Sequence, residues 1–130
     1  MLAEHDLPIL EVLEAAPGGE VPVDKLEPLL MLLYAHRLLR SGSELHVTPP
    51  NGSVPTVPGL QTAIGEAIRR RAALRAGDNY RLTRGAGLLL SRRGLRASDQ
   101  ARALAARVLT HDASEILSEA VSAWPDPLMS

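Results

Sequence analysis

A chain of 130 residues with no phenylalanine, one tryptophan (Trp124) and two tyrosines (Tyr34, Tyr80) has to fill its core with leucine, alanine, valine and isoleucine. Side chains of that size pack best where helices approach one another closely, and the scarcity of aromatic residues argues against a large sheet. Apolar residues make up 45% of the chain, enough for one buried core, and the length is that of one ordinary domain. The expectation is a mostly α, single domain over 1–130, with a core over about 7–96 and a C-terminal helical tail over about 98–124.

Helical spacing and punctuation divide the chain further. A first helix is expected from about Leu7 to Ala16, capped by Asp6, with Pro8 tolerated in its first turn and Pro17-Gly18-Gly19 as the stop. A second starts at Asp24, where Asp24 and Glu27 have capping-box spacing. It carries Leu26, Leu29, Leu30, Leu33 and Leu38 and ends at Ser41-Gly42. Two short strands around Pro49-Pro50-Asn51-Gly52 would form an edge hairpin between Leu45 and Val57. A third helix from about Pro58 to Leu74 sets Leu60, Ala63, Ile64, Ala67, Ile68 and Leu74 on one stripe, with Arg71 laying its aliphatic stem along the stripe's edge. Ala76-Gly77-Asp78-Asn79 reads as a turn, Tyr80 to Thr83 as a strand, and Thr83 as the cap of a fourth helix. The tail is expected to be helical throughout, as one helix or as two with a break near Thr110 to Asp112, where Asp112 and Glu115 have capping spacing.

Charge is the other unusual feature. Met1 to Glu66 carries three basic and nine acidic residues, a balance of -6. Ala67 to Arg107 carries eleven arginines against Asp78 and Asp99, a balance of +9, and Val108 to Ser130 has four acids and no base. A basic block thus lies between two acidic ones. Arginine forks hold phosphate oxygens through paired hydrogen bonds, so Arg69, Arg70, Arg75, Arg81 and Arg84 are the candidate nucleic-acid contacts. The competing reading is that the same arginines pair with the acidic blocks, within the fold or in a dimer.

Catalytic and cofactor chemistry finds no foothold. Without cysteine there are no disulfides, thiolate metal sites or cysteine nucleophiles. His5, His36, His46 and His111 lack ligand spacing, and His36, on the second helix, reads as a core or interface residue. His111 beside Asp112 reads as a helix junction. Gly18-Gly19 and Gly85-Ala86-Gly87 lack the strand and lysine of a phosphate loop. Neither an enzyme nor a cofactor is expected. Glu4, His5 and Asp6 stand where a signal peptide would be basic, and the longest apolar run, Leu29 to Ala35, is too short to cross a bilayer. A cytoplasmic protein with no membrane partner is expected.

Two resemblances follow from these segments. Helices leading into a Gly-Asp-Asn turn and the run GDNYRLTRGAGLLL, from Gly77 to Leu90, resemble prokaryotic winged-helix regulators, although Ala86 stands where their pattern has glycine. That resemblance implies a helical core presenting one helix to the DNA major groove, a hairpin wing beside it, and a role in transcription regulation. A longer stretch resembles the SocA and Panacea group of small antitoxin- and phage-associated proteins. It is carried by Leu32 to Arg37, Gly52 to Pro55 leading into Leu60, Tyr80 to Thr83, Leu109 to His111, Leu117 and Trp124. It implies protein binding without nucleic acid, as antitoxin or adaptor. The leading expectation is a winged-helix-like DNA-binding regulator. The alternative is a protein-interaction module using the same basic surface or the leucine-rich second helix, and a homodimer through the C-terminal helices is a further candidate.

Overall fold

The computed structural model describes residues 7–41 and 57–123, which form a mostly helical fold with a small antiparallel sheet. The expected capping by Asp6, the expected hairpin between Leu45 and Val57, and Trp124 lie outside the described residues. In chain order the elements are α1 (Leu7–Ala15), β1 (Glu20–Pro22), α2 (Leu26–Ala35), α3 (Leu60–Arg69), β2 (Ala73–Ala76), β3 (Asn79–Leu82), α4 (Arg84–Arg92), α5 (Asp99–Val108) and α6 (Ala113–Ala123).

The core is aliphatic, as the composition requires. Leu26, Leu29, Leu30, Met31, Leu32 and Leu33 are all buried, so α2 is covered on every side and is the central helix. That burial removes α2 as a docking surface. Its heaviest packing is against α6, and Ala101, Ala105, Val108, Ile116 and Ala120 of α5 and α6 join the same cluster as Leu10, Leu13 and Leu29. Among the described residues these apolar faces of α5 and α6 are turned into the chain's own core, so the two helices are part of the core. Lys25, the chain's only lysine, fixes this arrangement by donating from Nζ to the Leu109 carbonyl at the end of α5, where a cation suits the helix dipole.

Three helices end in the same way. In α2, α3 and α4 the residue two past the last helical position is left-handed: Arg37 (φ 57°), Arg71 (φ 61°) and Gly94 (φ 69°). The next N–H then reaches back to the helix, from Leu38 to the Leu33 carbonyl, from Ala72 to Ala67, and from Leu95 to Leu90, each at 2.9 Å. Arginine occupies twice a position that favours glycine, and this explains two displaced boundaries. The second helix ends at Ala35, not near Ser41, and the third ends at Arg69, not Leu74. Ala73 to Ala76 is a strand instead, and Arg71 is an exposed cap residue, not a stem lying over the core.

The sheet has the order β1-β3-β2, all antiparallel. β2 and β3 are joined by the two-residue turn Gly77-Asp78, with a left-handed Gly77 (φ 62°), a geometry whose twist matches paired strands. On the other side β1 pairs Val21 with Tyr80, both buried, and Val23 N–H donates to the Asp78 carbonyl at 2.8 Å, which anchors the turn. Pro22, without an N–H, is tolerated because β1 is an edge strand. The Asp24–Glu27 capping box does not form, because a 3-10 turn over Val23–Lys25 precedes α2.

Glu27 is used elsewhere. Its carboxylate accepts from Val57 N–H at 2.9 Å, while buried Glu11 accepts from Arg40 N–H at 2.7 Å and Ser41 N–H at 3.0 Å. Two carboxylates on the helical core therefore hold both ends of the long connection between α2 and α3.

Candidate nucleic-acid interface

The surface of α3 is sharply two-sided. Leu60, Ile64 and Ala67 are buried, while Gln61, Thr62, Gly65 and Arg69 are exposed along one stripe. The helix runs through its arginine cap directly into the β2–β3 hairpin. Thr83 locks that junction. Its hydroxyl lies within hydrogen-bond distance of the Arg71 and Ala72 carbonyls, at 2.8 and 3.1 Å, and its oxygen accepts from Ala86 N–H at 3.3 Å as the cap of α4. The β2–β3 pairing is continued by the Thr83 N–H bond to the Ala72 carbonyl, so Arg71 and Arg84 are the next residues of the two strands' chains at the open end of the hairpin.

The five arginines singled out in the sequence do not form one patch. Arg69 and Arg70 close α3 and share the Glu66 carboxylate, at 2.8 and 3.5 Å. Arg75 lies on β2, not on a helix. Its guanidinium sits 6.0 Å from the centre of the Tyr80 ring and donates from Nε to the Gly77 carbonyl at 3.2 Å. Arg81 belongs to the opposite face of the sheet, with Leu74 and Glu20, and is ion-paired to Glu20, its partner across the ladder. Arg84 is exposed at the start of α4.

The remaining arginines divide in the same way. Arg96 and Arg102 both turn to Glu14 of α1, and Arg107 pairs with Glu119 across the α5–α6 turn. That contact, with its hydrogen bond, raises the Arg107 pKa further. Among the described residues Arg37, Arg40, Arg71, Arg75, Arg84, Arg92 and Arg93 are exposed and have no ion pair. Arg71 is thus an exposed cation that the sequence pattern hid, since helical spacing placed it against the core.

No protein-family model matches this chain, and neither a curated protein nor a solved structure matches it. The remaining polar residues offer little chemistry. No three His, Asp or Glu side chains among the described residues are placed to hold a metal ion. His36 is exposed at the end of α2, not in the core or in an interface of the described fold, and His111 stands 3.9 Å from Glu115 at the α5–α6 junction. Ser98 caps α5 by accepting from Ala101 N–H at 3.2 Å, and Thr110 donates to the Arg107 carbonyl at 2.8 Å. No helix among the described residues is long and apolar enough to cross a membrane.

Proposed function

We propose that this chain is a winged-helix-like DNA-binding regulator, with α3 presented to the duplex and the β2–β3 hairpin lying beside it as the wing. One observation carries the reading: a helix exposing Gln61, Thr62, Gly65 and Arg69 leads without a linker into a hairpin whose base carries Arg71 and Arg84. Gln61 and Thr62 are side chains able to meet base edges, and Gly65 lets a backbone come close beside them. Arg69, Arg71, Arg75 and Arg84 would hold phosphates. Arg81 has no part in this surface, because Glu20 engages it on the other face of the sheet.

Phosphate neutralisation releases counterions, so the test is salt dependence. A random-sequence duplex should bind at low salt, and log affinity should fall against log salt with a slope of about -3 to -4 for four phosphates. Absence of binding at low salt would refute the proposal.

A second reading, a protein-interaction module, is favoured by one feature of α4. Leu88 is 58% exposed between Arg84 and Arg92 on a single helix face, a small apolar spot rimmed by cations that suits an acidic protein surface. On that reading a nuclease-resistant, stoichiometric protein partner would be lost in Leu88→Ser.

A further inference from the structure

A second basic site lies away from α3. Between the segment after α2 and the α4–α5 connection the chain forms an open depression of about 360 Å³ lined by Arg40, Ser91, Gly94, Arg96, Asp99 and Arg102. Its three guanidinium groups come from three places: the segment after α2, the connection between α4 and α5, and the second turn of α5.

Glu14 fixes two of them. This carboxylate, with its side chain only 9% exposed, pairs with Arg102 and lies 3.5 Å from Arg96 Nε, and its carbonyl accepts a further bond from Arg102 at 3.2 Å. One carboxylate facing two guanidinium groups orients Arg102 and neutralises one of the two charges, while most of their N–H donors remain unused. Arg40 adds a third cation, its backbone N–H held by the Glu11 carboxylate and its charge felt there as well. Asp99, at the start of α5, also lines the depression without an ion pair, and the Ser91 hydroxyl stands exposed nearby.

We propose that this depression binds a small phosphate ester carrying hydroxyl groups. Three guanidinium groups contributed by separate segments offer more donors than a planar carboxylate needs, which one arginine fork would satisfy, and suit a phosphate group. The volume exceeds that of a bare phosphate, and Asp99 supplies an acceptor for a ligand hydroxyl. The site is a depression backed by the largely buried Glu14 carboxylate, a feature that the arginines of α3 lack. It stands independently of DNA binding.

Calorimetric titration of the full chain with ribose 5-phosphate, inorganic phosphate and ribose tests the assignment. Ribose 5-phosphate should bind saturably, inorganic phosphate more weakly, and ribose not at all. Arg40→Gln combined with Arg96→Gln, both at exposed positions, should weaken binding at least about tenfold. Arg92→Gln combined with Arg93→Gln, which removes equal charge outside the depression, should leave affinity within about twofold. Saturation with duplex DNA should leave the ribose 5-phosphate affinity unchanged. The proposal fails if neither phosphate compound binds at about 10 mM, if the two double variants lose affinity equally, if inorganic phosphate binds as tightly as the ester, or if DNA competes with the ester.

Discussion

Glu11 shows how one side chain can both hold and burden this fold. It is a buried carboxylate that accepts two backbone N–H groups at the start of the connection from α2 to α3. Glu11→Ala would leave those donors unpaired, at a cost of about 1–3 kcal/mol in urea unfolding. Burial pushes the Glu11 carboxyl above the ordinary range, against the opposing pull of the Arg40 and Ser41 hydrogen bonds. A folded value above the unfolded one means that the native state holds the extra proton between the two. This group's contribution is therefore largest below the unfolded value and declines as pH rises through the raised folded value. Unfolding measured from about pH 4 to 8 should show the stability difference between the parent and Glu11→Gln falling across that window; a difference independent of pH would contradict the account. Arg71 gives a second test of the same kind. A left-handed arginine is strained, so Arg71→Gly should leave stability unchanged or raise it by up to about 1 kcal/mol. Unfolding would expose a loss instead.

Thr83 decides where α4 begins and how the hairpin is closed. Thr83→Ala removes the helix cap and the contact with the Arg71 and Ala72 carbonyls, and should cost about 1–2 kcal/mol. The cap and the Gly77-Asp78 turn were legible because each rests on local chemistry, a hydroxyl before a helix and a glycine in a turn, whereas the Asp112 and Glu115 capping pair left one tail helix and two equally open. The end of α3 was not. Arg70-Arg71-Ala72-Ala73-Leu74 are all good helix formers and keep the apolar rhythm. The helix stops there because pairing with β3 and the Thr83 hydroxyl favour a strand, which is a tertiary effect. β1 was equally hidden, since three residues ending in proline give too little alternation to read. The partners of the arginines were illegible for a related reason. Glu20 lies 61 residues from Arg81 and Glu14 lies 88 from Arg102, so only folding decides which cations meet carboxylates.

The basic middle third is divided by the fold as a whole. Arg81, Arg96, Arg102 and Arg107 bind the protein together, while Arg69, Arg71, Arg75 and Arg84 ring α3 and the hairpin. The C-terminal helices belong to this integrated structure. Ile116→Ala, far along the chain from α3, should destabilise the entire fold by about 2–4 kcal/mol in a single cooperative transition. Separate melting of the tail would show it to be an appendage. The DNA-binding proposal is tested most directly by comparing Arg71→Gly/Arg84→Ala with Arg81→Ala in polarisation titrations of a random duplex between about 50 and 200 mM salt. The first variant should bind more weakly, with a salt slope shallower by about 2 units, and the second should match the parent. Equal behaviour of the two variants, or no binding by the parent, would contradict a DNA surface built from α3 and its hairpin.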